Sequence, residues 1–262
     1  MACTLMLCLG LAACGDLPDP ETATVIEEPV DVLYNRAAAL ADEGNHTDAA
    51  VAFEEVERQH PYSEWATRSM LMASYSYYMA LQYDEAIFAA QRFVDLHPGN
   101  KDVDHAYYLI ARSYYDQLSD IRRDQGMTES AIRAFEEVIG RFPETDYARD
   151  AELKLVLARD HLAGKEMDIG RYYLNRQEYV AAINRFRSVV ERYQTTTHVP
   201  EALHRLVEAY MALGVREEAR VAAAYLGHNY PGSEWYGRSY ALLEGEGLEP
   251  ATEEGSWLSS LF

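Results

Sequence analysis

One pattern constrains this chain more than any other feature: an alanine, an apolar residue four positions later, another three further on, and a proline five beyond that. It reads Ala49/Phe53/Val56/Pro61, Ala86/Ala90/Phe93/Pro98, Ala131/Phe135/Val138/Pro143 and Ala219/Ala223/Leu226/Pro231. A fifth copy, Ala182/Phe186/Val189, has Gln194 at the proline position. Steps of four and three trace one stripe of an α-helix. Proline, which has no N–H to donate, stops that helix. Nine residues before the anchor alanine stand Leu40, Tyr77, Tyr173 and Tyr210; twelve before it stand Ala37, Ser74, Gly170 and Val207. A small residue three positions from a large one lets two helices approach and then lock. Turn signals separate the helices: Gly44-Asn45, Leu81-Gln82, Arg176-Gln177 and Leu213-Gly214. Each unit is therefore helix, short turn, helix, proline. Such a unit cannot bury its apolar face alone, so the units must stack.

These positions match the tetratricopeptide (TPR) consensus, and the fold expected is an all-α, TPR-type solenoid of about five helix hairpins. The anchors at 49, 86, 131, 182 and 219 lie further apart than in a tandem array of such repeats, where the period is about 34 residues. The third unit carries an insertion near 118–126, and a further apolar-periodic helix is expected near 146–163, before the fourth. The repeats occupy 31–244. The remainder, 245–262, is an acidic tail ending in Trp257, Leu258, Leu261 and Phe262, which would share one apolar face if helical. An end of that kind docks on a partner or membrane interface, or is a disordered terminus.

The first thirteen residues are uncharged, and Ala2 to Ala13 form an apolar run too short to span a bilayer but about as long as a signal-peptide core. The run ends in Leu11-Ala12-Ala13-Cys14-Gly15, which resembles a bacterial lipobox. By that resemblance Cys14 is the lipidated residue and 14–30 is a flexible tether. The basic segment that opens a signal peptide is missing, so a start upstream of Met1 is expected. Cys3 and Cys8 fall inside the signal, leaving no thiol pair in the mature protein and no basis for a disulfide or zinc framework. A net charge of −20 argues against general nucleic-acid binding, which relies on Lys and Arg against phosphate.

The arrangement resembles the BamD, or competence lipoprotein, family of the β-barrel assembly machine of Gram-negative outer membranes. The resemblance covers about 30–240: the lipobox, the His60-Pro61-Tyr62-Ser63 end of unit one, the insertion Asp120 to Gln125, Lys154-Leu155-Val156, and Gly170 to Ala181. It implies a lipid-anchored protein on the periplasmic face of the outer membrane. It further implies that C-terminal repeats bind the POTRA domains of a BamA-type insertase alongside accessory lipoproteins. N-terminal repeats would receive unfolded outer-membrane proteins. Gln194-Thr195-Thr196-Thr197 in place of a proline turn is a departure within the region that would dock the insertase. A periplasmic TPR adaptor for cell-wall or division proteins is the alternative.

In such a stack the first helix of each hairpin lines the concave side. Counting from the anchors places Tyr34, Arg68, Tyr75, Tyr78, Tyr108, Arg112 and Tyr115 there. Tyrosine gives contact area at low entropic cost and Arg grips a carboxylate through two bonds, so the set suits an extended peptide with aromatic side chains and a free C-terminus. The competing reading is packing between repeats. Arg122 and Arg123, in the unit-three insertion, are further candidates, since insertions into repeats often lie on a binding face; local pairing with Asp120 and Asp124 is the alternative. No catalytic or phosphate-binding motif is present, and no cofactor is expected.

Overall fold

The computed structural model describes residues 27–118, 125–251 and 256–260. Among them are eleven α-helices and no strand. Hairpin one is α1 (Val30–Asp42) and α2 (His46–Gln59); hairpin two is α3 (Glu64–Met79) and α4 (Tyr83–Leu96); hairpin three is α5 (Val103–Asp116) and α6 (Gly126–Arg141). Then come α7 (Asp146–Asn175) with α8 (Tyr179–Arg192), α9 (Val199–Leu213) with α10 (Arg216–Asn229), and a closing α11 (Glu234–Glu244). The core is serial: each apolar cluster joins neighbouring helices, with Phe53, Phe93, Phe135, Phe186 and Leu226 all buried on the predicted stripe. The all-α repeat solenoid is thus the fold.

The turns of hairpins one, two, four and five share one geometry, set five residues before the anchor. Gly44, Leu81, Gln177 and Gly214 all take a left-handed backbone, with φ of 79°, 61°, 60° and 75°. Each is locked by the same pair of bonds at a helix C-terminus. The next residue's amide donates to the carbonyl of the position-nine residue, at Leu40, Tyr77, Tyr173 and Tyr210. Leu81 and Gln177 hold this conformation against steric cost.

The inter-unit turns also repeat. Each second helix ends on a ring residue (His60, His97, Phe142, Tyr193, Tyr230) whose carbonyl accepts the amide three residues on. Ser63, Thr145 and Thr196 donate their hydroxyls to the same carbonyl. Ser63 and Thr145 then accept the amides of Ala66 and Ala148, capping the next helix. Gln194 therefore changes little. The Tyr193–Thr196 turn closes without proline, and Thr197 adds two bonds to Asp160 on α7 (3.1 and 3.0 Å).

The helix expected near 146–163 is not a separate element. It runs without a break into the first helix of unit four, making α7 a single 30-residue helix. Its first half packs Ala151 and Leu155 on α5 and α6; its second half packs Ala163 and Met167 against α8 and α9. Gly164 and Gly170, which look like breaks in the sequence, are close approaches instead. A Cβ at Gly170 would lie 2.4 Å from the Phe186 ring. No helix among the described residues is long and apolar enough to cross a membrane.

Candidate functional site

The first helices of hairpins two, three and four, α3, α5 and α7, bring one set of concave residues together. Arg112 of α5 sits at its centre. Its Nη2 donates to Asp116 Oδ2 (2.9 Å) and to the Tyr78 hydroxyl (2.9 Å), and its Nη1 to the Tyr108 hydroxyl (3.2 Å). Tyr78 donates to Asp116 Oδ2 (2.5 Å), Tyr108 donates to Asp150 of α7, and Lys154 pairs with Asp150 (2.7 Å). Two cations and two carboxylates balance, and bonds cross from α3 to α5 to α7. Burial works against the Arg112 charge, but the bonds to Tyr108 and Asp116 outweigh it and hold its pKa above the ordinary value. Burial, aided by Asp150, pushes Tyr108 up to about 12. Burial and Asp116 raise Tyr78 as well.

An aromatic strip runs beside this network. Tyr75 faces His105 (ring centroids 6.2 Å apart), His105 stacks flat on Tyr147 (5.2 Å, 1°), and Tyr147 leans on Tyr108 (4.9 Å). Burial lowers the His105 pKa, so the imidazole is held neutral. Tyr75 is the most open ring of the strip, and Tyr115 turns away to pack edge-on against the core ring of Phe135 (5.7 Å). Tyr147 was not singled out in the sequence. It opens α7 behind the Thr145 cap, and only the capping motif marks it as the start of a lining helix.

Tyr34 is a correction. It is buried, packed between Phe53 (5.4 Å) and Trp65 (4.6 Å), and belongs to the core of unit one. Its exposed side carries Arg68, whose guanidinium lies 5.4 Å from the ring centroid. Among the described residues no carboxylate ion-pairs with Arg68. It overhangs a depression of about 620 Å³ between α3 and the α4–α5 turn, floored by Leu71 and Phe93 and rimmed by Lys101, Asn100, Glu64 and Asp102. Arg122 and Arg123 lie outside the described residues, as does Cys14.

The C-terminal half of the concave face is polar where the N-terminal half is aromatic. Arg171 of α7 binds Glu201 of α9 through two bonds of 2.9 Å, Arg205 joins Glu201 to Glu208, and Glu208 approaches His204 (3.5 Å). His204 Nδ1 lies 2.9 Å from Ser239 Oγ of α11. A serine, a histidine and a carboxylate in line resemble a hydrolytic triad. Ser239 is fully buried between helices, however, and no substrate carbonyl can approach it. The set ties α11 to α9. A second surface, missed in the sequence, lies on α7, α8 and the α9–α10 turn. Tyr172, Val180, Leu213 and Val215 are exposed there beside shallow depressions lined by Asn184, Arg185 and Arg192.

Comparisons with known proteins fit this geometry. A family model described as an outer membrane lipoprotein, YfiO, matches residues 26–225. The outer membrane protein assembly factor BamD of Caulobacter vibrioides is 49% identical over 249 residues, covering 95% of this chain and 82% of that protein. BamD of Rickettsia prowazekii is 45% identical over 239 residues, covering 91% and 95%. Among solved structures, a thermophilic TPR protein from Thermus thermophilus aligns at 17% identity with a TM-score of 0.38, over 82% of this chain and all of that one. Matched by that model across its repeats and nearly half identical to such relatives along most of its length, the chain belongs to the YfiO family of outer membrane lipoproteins, the family of the assembly factor BamD.

Proposed function

We propose that the chain is a non-catalytic scaffold of outer-membrane β-barrel assembly that receives unfolded barrel proteins in its N-terminal groove. The observation that carries this is Arg68, an uncommitted guanidinium over an apolar-floored depression, next to the aromatic strip of Tyr75, His105 and Tyr147. A barrel strand presents alternating aromatic side chains and, at the end of many such chains, an aromatic residue with a free carboxylate. The strip suits the rings and Arg68 the carboxylate. Arg112 is occupied by Asp116 and two tyrosines, so it shapes the groove from behind.

The test compares a last-strand peptide carrying a free C-terminus with its amidated form. Wild type should prefer the acid severalfold, and Arg68→Ala should erase that preference while circular dichroism stays unchanged. Equal binding of both forms by wild type would sink the assignment. The BamA-type insertase, with accessory lipoproteins, is assigned to the C-terminal repeats, where Tyr172, Val180, Leu213 and Arg185 present an apolar, partly basic surface. Pull-downs from detergent-solubilised envelopes should recover a large barrel insertase with the Arg68→Ala protein as well as with wild type. Cell-wall enzymes recovered instead would favour the adaptor reading. Cys14 is assigned as the lipid attachment that holds the chain on the periplasmic face of the outer membrane. Cys14→Ala should leave it in the soluble periplasmic fraction.

A further inference from the structure

After α11 the chain doubles back. Glu246 pairs with Arg216 (3.6 Å), Arg220 Nε donates to the Glu249 carbonyl (2.9 Å), and the Ala251 amide donates to the Arg220 carbonyl (3.3 Å). The chain thus crosses the outside of α10. Its end, a short 3-10 turn at Trp257–Ser260, comes to rest between α8 and α10. Ser256 Oγ donates to Glu218 of α10 (3.2 Å), the Arg187 guanidinium of α8 lies 4.2 Å from the Trp257 ring centroid, and the indole packs on the buried cluster that holds Tyr210 of α9. Leu258 is fully buried in the C-terminal core.

Repeat register shows that this groove departs from its counterparts. Arg187 stands five residues after its anchor alanine, and Tyr210 nine before the next. In the groove between α2 and α4 the same two positions are Glu54 and Tyr77, a carboxylate near a phenol whose pKa burial and that carboxylate raise, while Arg92 and Glu57 pair across the opening. Between α8 and α10 an indole takes the place of that closure. Two residues past the anchor, Val51 of α2 and Phe88 of α4 are 57% and 72% exposed although each helix has a following hairpin packed on it. Val221 of α10, at the same position, is 1% exposed. The returning chain bonds the carbonyl of its neighbour, Arg220.

The groove therefore has an apolar floor, a guanidinium for the face of an aromatic ring, and Arg216 and Arg220 along the approach. These features select a short acidic segment followed by an aromatic–aliphatic pair. We propose that the α8–α10 groove is a peptide-binding site held shut by the chain's own C-terminal strap, and that a partner bearing an acidic stretch and an aromatic–aliphatic pair gains it by displacing Trp257 and Leu258. Among the described residues the contacts that hold the strap include the Arg187–Trp257 cation–π contact, the bonds to Arg216, Glu218 and Arg220, and the buried Leu258. Its tether gives it a local concentration on the order of millimolar, which an outside segment must overcome.

A labelled peptide of residues 246–262 is the probe, titrated into the full-length chain. It should bind a Trp257→Ala/Leu258→Ala chain at least about tenfold more tightly than wild type, whose site is filled. Adding Arg187→Glu to that background should weaken binding by about tenfold. Equal binding to wild type and the released chain, or none to a released chain that keeps its helix content, overturns the proposal. Should the double variant lose helix, Arg187→Glu alone serves, with Trp65 and Trp235 replaced by Phe. Acrylamide quenching of Trp257 must then rise, and unchanged quenching overturns the proposal. Dimers on size exclusion that disappear with the Trp257→Ala/Leu258→Ala change would place the strap in a second copy and overturn the assignment within one chain.

Discussion

At the scale of single residues, two arginines, Arg112 and Arg68, are held differently, and stability should separate them. Arg112→Leu leaves Asp116 without its cation and takes a donor from both Tyr78 and Tyr108. Thermal unfolding should report a loss of roughly 1–3 kcal/mol. Among the described residues Arg68 has no carboxylate partner, and Arg68→Leu should stay within about 0.5 kcal/mol of wild type. Equal losses for the two would mean that Arg68 is structural. The tyrosines supply a pH test. Tyr108 is held neutral up to about 12 against an ordinary 10.0, so the bonus to the fold is complete below pH 10. As pH climbs from 10 toward 12 the unfolded chain ionises first and stability drains away. Tyrosinate absorbance and circular dichroism, followed together, should show some of the 20 tyrosines ionising only as helix is lost. Complete ionisation with the helices intact would contradict this. Counting from the anchors picked out Tyr75, Tyr78, Tyr108 and Arg112, which stand on α3 and α5 in or beside one network. It failed for Tyr34, which is buried between Phe53 of α2 and Trp65 of α3. The Arg112–Asp116 pair, by contrast, stands at a helical spacing of four and is readable without a structure.

At the scale of elements, the hairpins predict two substitutions of opposite sign within one unit. Gly170→Ala drives a methyl into the buried Phe186 ring, and overpacking of this kind costs about 1–3 kcal/mol. Gln177→Gly, seven residues later, relieves a left-handed backbone and should gain up to about 1 kcal/mol, less what glycine adds to the unfolded chain's freedom. Melting temperatures should move down and up respectively, and a fall for both would mean that the Gln177 side chain matters more than its backbone. The repeats themselves were legible because a helical stripe and its proline stop are local signals. The continuity of α7 was harder to see. Gly164 and Gly170 suggest a break, yet one packs on His198 and the other on Phe186, contacts set by residues 34 and 16 positions away. The strap was the least legible, since Val221 reads as one more exposed apolar residue, and nothing local in the sequence says that the returning chain bonds beside it at Arg220.

At the scale of the whole molecule, α7 decides how the two halves behave. Leu157→Pro, at an exposed site in mid-helix, removes no core contact but breaks a bond ladder that both halves share, at a cost of about 3 kcal/mol or more. Calorimetry should then resolve two unfolding transitions where wild type shows one. A single, merely shifted transition would place the cooperativity elsewhere.

The same helix sets a distance. Thirty residues at about 1.5 Å each make a rod of about 45 Å, with the aromatic strip at its start and the exposed Tyr172 near its end. Where hairpins meet through turns, each joint absorbs part of any rotation; along a rod, none is absorbed. A tilt of about 5° imposed at one end carries the other sideways by about 4 Å, close to the spacing between neighbouring strands of a sheet. Whatever grips the C-terminal repeats thereby holds a lever on the groove, and a small rotation there is enough to shift an extended segment lying in the groove by about one strand width.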